Sequence, residues 1–141
     1  MIRVVKEPHE RRQEIIEVGE QLFMERGYEN TSVEAIIKQV GIAKGTFYHY
    51  FKTKEDMLNE IMEKYVEEMK VMMDQIMQQE NLNAVQKIFA IFNAGRELRE
   101  EHKGILDYVH EDKNELFHHR LEKKNLPIMA DYFEKIIAQG V

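Results

Sequence analysis

Apolar residues recur at helical spacing in seven successive stretches, and each stretch has its own start or stop signal. Ile15, Ile16, Val18, Leu22 and Phe23 make the stripe of a first helix from His9 to Arg26, ended by Gly27. Gly19 sits in the middle of it at a cost in helix propensity, which predicts that another helix packs closely there. Val33, Ile36, Ile37 and Val40 form a second stripe. Thr31 and Ser32 both suit its cap, and Glu34 lies three residues after Thr31 as in a capping box. Gly41 ends that helix and Ile42 follows as an apolar plug. A short third helix runs from Lys44 to Phe51, with Phe47 and Phe51 inward and Lys44, Thr46, Tyr48, His49 and Tyr50 on the outer and flanking faces.

The fourth helix opens at Lys54, carries Glu55 and Asp56 in its first turn where the helix dipole favours them, and runs to about Gln79. Its apolar positions, from Met57 to Met77, are rich in methionine. Asn83 caps a fifth helix from Ala84 to about Arg99, whose expected buried face is Val85, Ile88, Phe89, Ile91, Phe92 and Leu98. A short sixth helix spans His102 to about Asp112, and a seventh runs from Glu115 to about Gln139. Pro127 is expected to kink or divide the seventh, and Gly140 to stop it.

Composition agrees with an all-α chain: 141 residues, 43% apolar and 33% charged, with two prolines and seven glycines. The absence of cysteine excludes a disulfide framework or a thiolate zinc site. The first thirty residues hold no signal-peptide apolar region and no apolar run approaches ~18 residues, so the chain is expected to be cytoplasmic, with no membrane partner. Charge changes the picture more. The chain carries a formal −6, yet between Ala35 and Lys54 stand Lys38, Lys44, Lys52 and Lys54 and no acidic residue. Helix, glycine turn and short helix with a polar-aromatic face is the helix-turn-helix pattern, whose second helix enters a DNA major groove. Hydroxyls and tyrosines among the lysines suit phosphate contacts, although a helical protein can also carry such an acid-free window by chance. Arg3 and Lys6, on a short arm from Met1 to Pro8, are available near a phosphate backbone, or belong to a loose terminus.

At this stretch the sequence resembles the DNA-binding domain of TetR-family transcriptional regulators. Gly27-Tyr28, Thr31-Ser32-Val33, Val40-Gly41-Ile42, Lys44-Gly45-Thr46-Phe47-Tyr48-His49-Tyr50-Phe51 and Thr53-Lys54-Glu55-Asp56-Met57 follow the family pattern in order and spacing over roughly residues 10 to 60. Ala43 departs from it, standing where the family often has a serine cap, at a cost of about 1 kcal/mol. The resemblance implies a three-helix DNA-binding head over residues 1–53 and a helical effector-binding and dimerisation domain over 54–141. It implies that Lys44, Gly45, Thr46, Tyr48, His49 and Tyr50 face the groove and its walls, and that Thr31, Ser32 and Lys54 hold phosphates at helix N-termini. It further implies a homodimer on palindromic operator DNA, most simply a repressor, released by a small and lipophilic effector. The family generally has nine helices and seven are visible here, so the chain is expected to lack the last two, which form the family's dimer interface. The seven helices are expected to be charged outside, with no spare apolar stripe, and the chain alone to associate weakly.

The same resemblance places an effector pocket inside the bundle of helices four to seven. Tyr65, Met69, Met72, Phe89, Phe92, Tyr108 and Phe117 are its expected walls, methionine being a soft lining that re-packs around varied shapes, although ordinary core packing is the commoner reason for such a methionine stripe. His102, His110, His118 and His119 with Glu111, Asp112 and Glu115 raise the question of a metal. Only Glu115 with His118 or His119 shares a helical face, so no metal is expected, and no motif calls for a cofactor or for catalysis. An all-helical small-molecule or metal-dependent enzyme, or a helical scaffold with an unused helix-turn-helix, are the alternative readings.

Overall fold

The computed structural model describes residues 6–140; Arg3 and Val141 lie outside them. Seven α-helices follow one another: α1 Pro8–Arg26, α2 Val33–Val40, α3 Lys44–Tyr50, α4 Lys54–Met77, α5 Ala84–Glu101, α6 Lys103–Val109 and α7 Glu115–Gly140. One 3-10 turn, Asp112–Asn114, precedes α7. No strand occurs among the described residues. The chain forms two compact units, Met1–Ile61 and Met62–Val141, which meet inside α4. The fold is therefore all-α, a helix-turn-helix head followed by a helical C-terminal unit.

The first unit is closed by apolar side chains from all its helices. Ile15, Phe23, Ile36, Phe47, Met57, Leu58 and Ile61 are completely buried. Gly19 explains itself here: a Cβ on it would stand 2.5 Å from the Met57 sulfur, so α4 crosses α1 where there is no side chain. Gly27 ends α1 and Gly41 ends α2 with φ near 80°, a region that a side chain disfavours.

In the second unit the core is Met69, Met73 and Ile76 of α4 against Ile91 of α5 and Tyr132 and Ile136 of α7. Asn83 and Gln86 form a reciprocal capping box that starts α5. Lys87, only 2% exposed, donates from Nζ to the Met77 carbonyl at 3.0 Å and the Gln139 side-chain oxygen at 2.8 Å. A buried ammonium thus answers an orphan carbonyl at the end of α4. Apolar periodicity gave no sign of it.

Three expectations need correction. Of the two outcomes expected at Pro127, a kink or a division, the division does not occur: α7 is one helix. Pro127 is exposed, so the carbonyl that loses its amide partner stays within reach of water. The sixth helix stops at Val109, and the chain passes through the 3-10 turn where Asn114 donates to the Tyr108 carbonyl at 2.7 Å. On α5 two apolar stripes exist, and the one that meets the core runs through Ala84, Ile88, Ile91, Ala94 and Leu98. Val85, Phe89 and Phe92 form the other, 61%, 65% and 64% exposed, and Ile137 of α7 is exposed as well. The outer surface is therefore not purely charged. It carries an apolar stripe.

Candidate nucleic-acid interface

Ser32, not Thr31, caps α2: its hydroxyl accepts from the Ala35 amide at 3.0 Å. Gly41 turns the chain, with its own amide and that of Ile42 both bonded to the Ile37 carbonyl at 2.9 and 3.2 Å. Ala43 begins α3 with no side-chain cap. That missing cap costs about 1 kcal/mol. Burying the Phe47 and Phe51 rings stabilises α3 by roughly 2–3 kcal/mol each, so packing holds the short helix in place. Their rings lie 5.7 Å apart.

Orienting α3 inward by these two rings turns Lys44, Gly45, Tyr48 and His49 to solvent, with Thr46 and Tyr50 half-buried on the flanks. Tyr48 packs edge-on against Phe47 at 5.3 Å and His49 edge-on against Tyr50 at 5.0 Å, so the exposed aromatics are braced. Arg12 of α1 fixes the other end of α3. Its guanidinium pairs with both carboxylate oxygens of Glu60, donates to the Tyr50 carbonyl at 3.4 Å and lies 4.9 Å over the Phe51 ring. Lys38, Lys44 and Lys52 are exposed around this surface, and the acid nearest to them in contact is Glu34, 3.7 Å from the Lys44 ammonium.

Two residues expected to touch phosphates face into the head instead. Thr31 is fully buried and donates to the Leu22 carbonyl at 3.2 Å or that of Gly27 at 2.8 Å. Lys54 donates from Nζ to the Tyr28 carbonyl at 2.8 Å and the Thr31 carbonyl at 3.0 Å, and sits 4.2 Å over the Tyr28 ring. Burial lowers its pKa from the usual lysine value, with Glu29 acting the other way. The loop between α1 and α2 has carbonyls with no helical partner, and these two side chains satisfy them. What begins α4 is a reciprocal box that sequence reading missed: Thr53 accepts from the Asp56 amide at 3.0 Å and Asp56 accepts from the Thr53 amide at 3.1 Å. The Thr-Lys-Glu-Asp spacing was the available signal.

Within the second unit, Tyr65, Met69, Met72 and Phe92 line a cavity of about 420 Å³, with Ile91, Leu98, Met129, Gly95, Arg96, Arg99 and Asn125. Phe89 is not among them, although Phe92, exposed on the same stripe of α5, is. Tyr108 and Phe117 also stand elsewhere and pack on each other at 6.1 Å. Burial raises the Tyr65 pKa, and Arg99 partly offsets it. A smaller cavity of about 210 Å³ shares Tyr65, Arg99 and Asn125 and reaches His110, His118 and Glu122. His118 lies 3.5 Å from Glu122 and its ring 4.8 Å from that of His110. No group of three or more metal-ligating side chains occurs among the described residues. No helix among them is long and apolar enough to cross a membrane.

Comparison with known proteins places this geometry. Residues 15–61 match the family model of the bacterial regulatory proteins of the TetR family. The transcriptional repressor KstR2 of Mycolicibacterium smegmatis is 29% identical over 108 residues, 76% of this chain and 52% of that protein. KstR2 of Mycobacterium tuberculosis is 30% identical over 102 residues, 72% of this chain and 50% of the relative. The chain thus spans about half the length of the curated relatives it matches. A solved structure assigned to the TetR family, from Syntrophomonas wolfei, shares the fold with a TM-score of 0.78 at 24% identity, covering 95% of this chain and 72% of the other. Helix order, the α2–turn–α3 geometry and these likenesses agree: residues 15–61 form the DNA-binding domain of the TetR family of bacterial regulatory proteins, and the chain as a whole is similar in fold to members of that family.

Proposed function

We propose that this protein is a DNA-binding repressor of transcription that acts in the cytoplasm as a homodimer on a palindromic operator and is released by a small, lipophilic effector. Residues 1–53 would bind DNA, and residues 54–141 would receive the effector and contribute to regulation. The observation that carries the reading is the outer face of α3, where Lys44, Gly45, Tyr48 and His49 stand exposed on a helix pinned by Phe47, Phe51 and Arg12. A rigid helix with a polar-aromatic face and an uncapped N-terminus suits base edges and phosphates together. Ser32 offers the start of α2 to a neighbouring phosphate, while Lys38 and Lys52 add cations that sequence matching to the family had not singled out.

The cavity supports the effector half of the proposal. Its volume lies within the ~300–1,000 Å³ of small-molecule sites, and most of its wall is apolar. The relatives named as repressors support the direction of control. The reading is tested by selecting bound duplexes from a random pool. Enrichment of one inverted repeat, lost in a Tyr48→Ala/His49→Ala variant that keeps its helical circular dichroism, is the expected result. An enriched sequence that the variant still binds equally well would remove α3 from the interface.

A further inference from the structure

The cavity in the second unit has a chemically lopsided wall. Met69, Met72, Ile91, Phe92 and Met129 make one side apolar. Arg96 and Arg99 stand at the other, and neither has a carboxylate within ion-pairing distance among the described residues. Asn125 lies with them, on the wall shared by the two cavities, and its side-chain oxygen is buried without a hydrogen-bond partner. Buried acceptors are nearly always satisfied, so an orphan at a cavity wall marks a place for a donor from outside the protein. Both arginines are exposed and stand three residues apart on α5, where an anion seated at the cavity would gain charge-assisted hydrogen bonds from them. Glu122, the one acid on the smaller cavity, is turned to His118, which leaves the arginine side as the cationic end.

From this we infer the chemical class of the effector: an amphipathic anion, with an apolar body against the methionines, a carboxylate or similar group at Arg96 and Arg99, and a hydroxyl or amide donor for Asn125. The inference rests on the reading of the cavity as the effector site and sharpens it from lipophilic to acidic and hydroxylated. A neutral hydrocarbon or an organic cation would gain nothing from the guanidiniums and would leave the asparagine oxygen unanswered.

The test is calorimetric titration of the whole chain, without DNA, using decanoic acid, decanol, decyltrimethylammonium and β-hydroxydecanoic acid below their micellar concentrations. Decanoic acid should bind about tenfold more tightly than decanol, the order of one charge-assisted contact, and the cation should not bind. The hydroxy acid should exceed decanoic acid severalfold, and Asn125→Leu should erase that gain. Arg99→Gln should bring the acid down to the affinity of the alcohol and leave the alcohol unchanged; Arg96→Gln and the loss of the acid's advantage at high salt decide the point if that variant does not fold. Gly95→Leu, at a position where an added Cβ meets nothing within 4 Å, should fill the cavity and abolish binding of every probe. Equal affinity for acid and alcohol, no binding at all, or binding that survives Gly95→Leu would overturn the inference. A separate titration with operator DNA distinguishes it from the regulatory reading. Selective acid binding that does not release DNA refutes effector control alone, and release by alcohol and acid alike refutes the ligand class alone.

Discussion

Lys54 offers the sharpest separation between a residue that touches DNA and one that builds the surface touching it. Its ammonium answers the Tyr28 and Thr31 carbonyls at 2.8 and 3.0 Å and lies over the Tyr28 ring, so Lys54→Met removes the donor from the Thr31 carbonyl and leaves the Tyr28 carbonyl only the Thr31 amide at 3.3 Å, in the loop that positions α2. Hydrogen bonds from a charged donor are worth about 1.5–3 kcal/mol each where water is excluded. Lys54 is only half-buried, and water can replace part of what is lost, so the discounted expectation is about 2 kcal/mol for the pair with its ring contact. Urea unfolding followed by circular dichroism measures this, with exposed Lys52→Met as the control expected to change stability by less than about 0.5 kcal/mol. The salt dependence of DNA affinity should keep its slope in Lys54→Met, because no phosphate contact has been removed. Unchanged stability together with a shallower salt slope would refute the reasoning and return Lys54 to the phosphate backbone.

Other consequences are equally direct. Gly19→Ala should destabilise the head by roughly 1–2 kcal/mol through overpacking against Met57, and the same change in a Met57→Ala background should instead stabilise it by ~0.5–1 kcal/mol, as helix propensity dictates; urea midpoints decide both signs. Tyr132 donates its phenol to the Asp74 carboxylate, and that bond, helped by burial, raises its pKa from 10.0 to about 12. The folded value lies above the unfolded one, so this stabilisation is complete below pH 10 and is lost as pH rises towards 12; alkaline unfolding should show that loss, and Tyr132→Phe should flatten it. Lys87→Met should cost about 2–3 kcal/mol despite its similar shape, because the Met77 carbonyl loses its buried partner; a melting curve like that of the unchanged chain would show that water takes the place of the ammonium.

Helix order and the helix-turn-helix were legible because each depends on local signals: spaced apolar residues, Gly41 after a stripe, and Phe47 four residues before Phe51. That another helix packs closely at Gly19 was legible too, since a glycine inside a helix needs a reason; that the helix is α4, through Met57, was not. What failed depended on partners far along the chain. Lys54 in sequence is a lysine at a helix start, and only the loop from Tyr28 to Thr31 turns it inward. On α5, Val85–Phe89–Phe92 and Ile88–Ile91–Leu98 have equal helical periodicity, and nothing local says which stripe meets α7. Arg96, Arg99 and Asn125 carry no motif at all. Their significance comes from sharing a cavity with apolar walls.

The central claim, that the outer face of α3 meets DNA, is tested most directly by the salt dependence of duplex binding. Fluorescence anisotropy at ~50–200 mM salt should show affinity falling steeply for the unaltered chain, and Lys44→Gln should weaken binding and reduce the slope of log K against log salt by about one, while Lys54→Met leaves that slope alone. Binding that does not depend on salt, or a Lys44→Gln variant with the same affinity and slope as the unaltered chain, would contradict it.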